Sequence, residues 1–195
     1  MTMVSLEDKD RLFLLKLARS AITSELLGDR RSIVKPKDIS PLLKEKRGCF
    51  VTLHKRGSLR GCIGTIEPTI SLLSSVEENA INAAFRDPRF SPIDRDEIDA
   101  LDIEISVLTV PREIKFRDSE DLKKQIIPGV HGVILSQGYR RSTFLPQVWE
   151  QLPQKEDFFE HLCLKGGMSR YAWQEPHTRV EVYEAEYFSE KQLFS

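Results

Sequence analysis

Gly48-Cys49-Phe50-Val51-Thr52-Leu53-His54 and Leu59-Arg60-Gly61-Cys62-Ile63-Gly64-Thr65-Ile66 are two strand-like runs separated by Lys55-Arg56-Gly57-Ser58. Alternation in the runs and a glycine in the short connection predict an antiparallel hairpin. Two glycines inside the second run cost backbone entropy and leave nothing to pack, so they make sense where another backbone or a ligand approaches closely. A symmetric turn about residues 56–57 sets Val51 opposite Cys62, Cys49 opposite Gly64 and Leu53 opposite Arg60. In that register Arg60, Cys62 and Gly64 share one face beside Cys49, while Gly61 and His54 lie on the other. The first face then offers a cation, a thiol and a gap. The bland alternative is an inert cysteine in a tightly packed sheet.

Outward from the hairpin the period changes. Leu12, Leu15, Ala18, Ala21, Ile22 and Leu26 recur at helical spacing. They predict a helix over about 6–27, opened by a variant capping box at Ser5-Leu6-Glu7-Asp8 and stopped by Gly28. Residues 29–47, with Pro36 and Pro41, read as a polar connection. A second helix spans about 71–85 and ends at Asp87-Pro88, since proline disfavours the helical region for the residue before it. Asp94 caps a short helix through Ile98. Strands are expected at 101–107 and 178–187, with a second hairpin at 132–137 and 139–145 turning at Gly138. Residues 147–152 and 156–164 read as helical, the latter closed by Gly166-Gly167. Hairpin-paired strands with intervening helices indicate an α+β fold, a mostly antiparallel sheet flanked by helices, in one compact domain of two lobes over 1–195.

The 195 residues are 40% hydrophobic and 30% charged, which suits a folded globular chain and argues against disorder. No run approaches the ~20 apolar residues a membrane-spanning helix needs, so no membrane is expected as partner. The first residues lack the basic-then-apolar pattern of a secretory leader. Cys49, Cys62 and Cys163 are an odd set, so free thiols and a cytoplasmic location are expected. The formal charge of −1 hides an asymmetry. Ten basic against two acidic side chains fall in residues 30–60, and three basic against ten acidic in 61–104. A basic stretch can serve a phosphate-bearing partner, but it lacks interleaved aromatic residues for base stacking, so nucleic acid is not the expected ligand.

Leu59-Arg60-Gly61-Cys62-Ile63-Gly64 resembles the hallmark hexapeptide of the AMMECR domain family. The resemblance continues in Gly48–Leu53, Asp87-Pro88-Arg89-Phe90-Ser91-Pro92, Glu104–Thr109, Gly129–Gly132, Leu145–Val148 and Lys165-Gly166-Gly167, in family order from about 10 to 188. Lys165-Gly166-Gly167 stands where the family has Lys-Ala-Gly, a mild departure. The resemblance implies an α+β domain of two unequal lobes with a cleft near 59–65. It also implies a pathway shared with Memo-type and radical-SAM proteins. It implies no established reaction.

Chemistry at the hexapeptide follows from its residue types. A cysteine nucleophile needs a neighbouring cation or imidazole to favour its thiolate. Cys62, Arg60 and Asp87 are therefore the candidate catalytic residues, and Gly61, Gly64 and Arg89 the candidate substrate contacts for a small anionic ligand. Proline fixes the Asp87–Arg89 loop, which serves either the site or the loop's own stability. His131 is a candidate partner whose position sequence does not give. No phosphate loop, dinucleotide fingerprint or radical-SAM cysteine triplet is present, and His161-x-Cys163 is a poor metal pair, so no cofactor and no metal are expected. Two classes stay open. One is an enzyme, or enzyme subunit, acting on a small anionic metabolite. The other is a non-catalytic module binding protein or RNA through residues 30–60.

Overall fold

The hairpin forms as β1 (Cys49–Lys55) and β2 (Ser58–Thr65), reversing at Arg56 and Gly57, both with positive φ. This computed structural model describes residues 6–28 and 40–193. The chain divides into two compact units. The first comprises residues 1–108 and 186–195, the second 109–185.

In the first unit β1 lies between β2 and β3 (Leu101–Leu108), antiparallel to both, and β8 (Ala185–Ser189) completes the order β2-β1-β3-β8. Period two along β1 puts Cys49, Val51 and Leu53 on one face, opposite Val107, Ile105 and Ile103 of β3, and all six are buried. This face packs on α1 (Asp8–Leu27) and α3 (Leu72–Phe85), whose Leu14, Leu15, Ala18, Val76, Ala80 and Ala83 fill the core. Each such Val, Leu or Ile contributes roughly 1.5–3 kcal/mol by burial.

Gly28 ends α1 in the left-handed conformation, as its sequence predicts, and its N–H reaches the last-turn carbonyls. The expected capping box begins at Ser5, outside the described residues, and Glu7 at the N-cap makes no capping bond with its side chain. Ser71 caps α3 by accepting from the Ser74 amide. Asp94 and Glu97 form a reciprocal capping box on a 3-10 turn at Arg95–Ala100. A single helical turn, α2 (Pro41–Lys44), precedes β1. Arg19 ties four segments together, pairing with Glu190 of α6 (Glu190–Leu193) and donating to the carbonyls of Ile98 and Leu101.

The second unit carries its own sheet, β4-β7-β5-β6, formed by β4 (Arg112–Ile114), β5 (Gly132–Gln137), β6 (Arg140–Phe144) and β7 (Arg179–Tyr183), all antiparallel. The β5–β6 hairpin turns at Gly138 with φ 61°, as expected. A short helix α4 (Ser119–Gln125) and α5 (Lys155–Lys165) accompany it. Its core is aromatic: Trp149 stacks on Phe158 at 3.6 Å, and Phe159 on Trp173 at 4.9 Å between ring centroids. Two expectations need correction. Residues 178–187 are not one strand but β7 and β8, in different sheets, broken at Glu184, whose backbone bonds to Thr109 in both directions. The helical 147–152 segment is a 3-10 turn at Pro146–Glu150.

Candidate functional site

The register of the β1–β2 hairpin differs from the symmetric one. It begins with Lys55 opposite Ser58 and His54 opposite Leu59, then slips, so that Gly61 faces Leu53, Cys62 faces Thr52 and Gly64 faces Phe50. Arg60 is the extra, unpaired residue of a β-bulge, a device that re-aims a side chain. One inserted residue exchanges faces. Cys62 therefore sits opposite Thr52 and not Val51, on the face away from Cys49, and His54 lies on the Cys62 face.

The freed Arg60 reaches the 91–97 loop. Its Nε and Nη2 donate to the Glu97 carboxylate at 3.0 and 2.8 Å, and Nη1 to the Ser91 carbonyl at 2.9 Å. Lys55 Nζ adds a contact to Glu97 at 2.7 Å. Arg60 first, then Lys55, holds the Glu97 carboxyl down at about 2. Arg60, expected among the catalytic residues as the cation beside Cys62, is thus committed to Glu97. The same geometry accounts for part of the basic stretch: Arg47 pairs with Glu45, and Lys55 and Arg60 with Glu97, while residues 29–39 lie outside the described residues.

The glycines answer to packing. A Cβ on Gly61 would collide with the Ala83 carbonyl of α3, and one on Gly64 with the Phe50 ring and, at 2.5 Å, the Cys49 carbonyl. The expected gap for a ligand is filled by protein at both positions, because β2 must lie flush on α3 and carry the Phe50 ring.

Asp87 and Arg89 do meet Cys62, but through its backbone. Asp87 Oδ2 accepts from the Cys62 N–H at 2.9 Å, and Arg89 Nη2 donates to the Cys62 carbonyl at 3.2 Å. β2 is an edge strand, and the loop satisfies the outward N–H and C=O that such an edge leaves open. Cys62 and Thr52 are in consequence a non-hydrogen-bonded pair, the closer kind, and Thr52 Oγ1 donates to Cys62 Sγ at 3.2 Å. Asp87 is buried, chelates Arg89 through both oxygens, and is held well below the usual carboxylate range, chiefly by Arg89 against the opposing effect of burial. Both oxygens of this carboxylate are thus engaged, by the Arg89 guanidinium and by the Cys62 amide. Arg89 is 54% exposed, and its Nη1 has no partner among the described residues. Phe90 lies beneath both guanidinium groups, 5.4 Å from Arg89 and 6.0 Å from Arg60.

Of the three free thiols, Cys49 and Cys163 are buried and Cys62 is partly exposed. Burial pushes the Cys49 and Cys163 thiols up. His131 belongs to the second unit, where its Nδ1 accepts from the Ile127 amide and burial lowers it from its usual value. Among the described residues no group of three His, Cys, Asp or Glu is placed to hold a metal ion. No described helix is long and apolar enough to cross a membrane. Sequence reasoning missed Thr52, Glu97 and Lys55. The Asp94-x-x-Glu97 spacing was the available signal for Glu97, since a capping box fixes that carboxylate beside the loop.

An α+β protein whose glycine-flanked cysteine is fixed on an edge strand by an Asp-Pro-Arg loop is the class defined here. The chain belongs to the AMMECR1 family, matching it over residues 15–188. It is 39% identical over 182 residues to a protein from Methanothermobacter thermautotrophicus, covering 91% of this chain and 92% of that one. It is 40% identical over 185 residues to one from Methanosarcina acetivorans, covering 91% and 89%. An uncharacterized protein from Pyrococcus horikoshii has a similar crystal structure, with TM-score 0.87, 36% identity, and 97% and 96% of the two chains covered.

Proposed function

We propose that the protein acts on a small anionic metabolite at the Leu59–Gly64 segment, with Cys62 as the nucleophile and Arg89 as the anion contact. The observation that carries this reading is the clamp. The one thiol of the three that is not buried has its backbone fixed on both sides by Asp87 and Arg89, and Arg89 keeps an outward N–H pair. A fixed thiol beside a partly exposed guanidinium suits attack on an electrophile that carries a carboxylate or phosphate. Asp87 acts as a positioning residue, and Arg60, Gly61 and Gly64 shape the strand. Memo-type and radical-SAM proteins are the proposed pathway partners, on the resemblance alone.

The test is Cys62 alkylation by iodoacetamide in the presence of a panel of small carboxylates and phosphates. Selective, saturable protection is expected. Arg89→Ala should weaken it about tenfold or more, as loss of a charge-assisted bond does. Protection by no anion at any concentration would defeat the reading.

A further inference from the structure

The slipped register has a chemical consequence on the face of the first unit's sheet away from its helices. Thr52 pairs with Cys62 on one side and with Glu104 of β3 on the other, so the thiol, hydroxyl and carboxyl form one row across three strands. In the next row His54 pairs with Asp102. At two strand spacings, Cys62 and Glu104 stand roughly 10 Å apart at Cα, with Thr52 between them. That span accommodates a small ligand lying over β1.

The state of these groups differs from that of Asp87 and Glu97. Asp102 accepts from the Lys191 amide and is engaged. Neither the Glu104 nor the His54 side chain has a hydrogen-bond partner among the described residues, although both residues are partly buried. A carboxyl group partly withdrawn from water and bonded to no protein donor is open to a ligand, as the carboxylates of Asp87 and Glu97 are not. Burial raises Glu104 from the usual carboxylate value, Asp102 adds to the rise, and His54 opposes it.

We infer that Glu104 is the proton donor of the Cys62 site and His54 its proton acceptor, acting on a small carboxylate that bears an aldehyde or ketone. This rests on the reading of Cys62 and Arg89 above. In the step, Cys62 Sγ forms a bond to the carbonyl carbon and gives its proton to the His54 imidazole. The C=O π pair moves to oxygen, which takes the Glu104 proton. The products are a hemithioacetal or hemithioketal and a Glu104 carboxylate facing a His54 imidazolium. Return of the proton from His54 to Glu104 restores the resting charges. The addition is reversible and needs no oxidant or reductant. Thr52, already donating to Sγ, steadies the thiolate as it forms.

The experiment uses the full chain with glyoxylate as the probe, reading protection of Cys62 from iodoacetamide by peptide mass spectrometry. Glyoxylate should protect the native protein, and Glu104→Gln should slow the onset of that protection about tenfold or more, since it keeps the shape but carries no exchangeable carboxyl proton. His54→Gln, a second variant in case the first fails to fold, should slow it similarly. Oxalate, a carboxylate without an aldehyde or ketone, should protect native and Glu104→Gln proteins equally. If protection by glyoxylate sets in as fast in Glu104→Gln and His54→Gln as in native protein, this inference fails and the anion site stands. If neither glyoxylate nor oxalate protects native protein, both fail.

Discussion

Gly64 shows how a residue can be read correctly as unusual and still be assigned the wrong cause. The cost of glycine in a strand is visible in the sequence, and close approach is the right explanation. What approaches is the Phe50 ring and the Cys49 carbonyl. Gly64→Val should therefore destabilise the protein by about 3 kcal/mol or more, the upper part of the range for overpacking a filled site. Urea denaturation followed by circular dichroism measures it, and a loss below about 1 kcal/mol would show that Phe50 moves aside freely. Arg60 teaches the complementary point. Its side chain faces Glu97 because the bulge makes it the odd residue of the strand, and local alternation carries no trace of an insertion that a loop some thirty residues further on holds in place. His54 consequently moved to the thiol's face, where a symmetric hairpin does not put it.

At the level of the element, the hairpins, α1, α3 and the Asp94 turn were legible because each carries its own punctuation: Gly57, Gly28, Asp87-Pro88, Gly138 and a capping box. The Ser71 cap, which the structure adds, yields a clean measurement. Its Oγ accepts the Ser74 amide at 3.2 Å on an exposed surface, so Ser71→Ala should cost about 1 kcal/mol of stability without changing the alkylation of Cys62. Thermal unfolding and the alkylation rate report the two halves of that statement. The 178–187 run was illegible as two strands because alternation continues through Glu184. Only the bonds from the Glu184 backbone to the Thr109 amide and hydroxyl break it, and such bonding has no local signature.

For the whole molecule, the two units differ in how acid should affect them. Both tryptophans of the chain lie in the second unit, so their fluorescence follows that unit. His131 there has a lowered folded-state value, so its contribution is complete above the ordinary histidine range and is lost as pH falls below it. In the first unit Glu97 is depressed from 4.5 to about 2, so its contribution is lost only as pH falls through that interval. Urea midpoints by tryptophan fluorescence should drop between pH 7.5 and 5.5, and His131→Asn should flatten the drop, because its amide oxygen still accepts from Ile127. Loss of the first unit's far-ultraviolet circular dichroism should begin only below about pH 4.5, the ordinary glutamate value. Equal acid midpoints by both probes would contradict the assignment.

The first unit is closed by Glu186 on Arg11 and by Glu190 on Arg19, although 77 residues of the second unit intervene in the chain. Synthesis from the ribosome runs against that arrangement. Domains usually complete themselves in order of emergence, yet here the earlier-made unit waits for the last-made strand, while the inserted unit has all its residues first. A nascent chain arrested shortly after residue 185 has left the tunnel should already protect the segment around Trp149 and Trp173 from protease while 49–65 remains cleavable. The bonds between Thr109 and Glu184, both residues of the insert, then join its two ends before the host is complete.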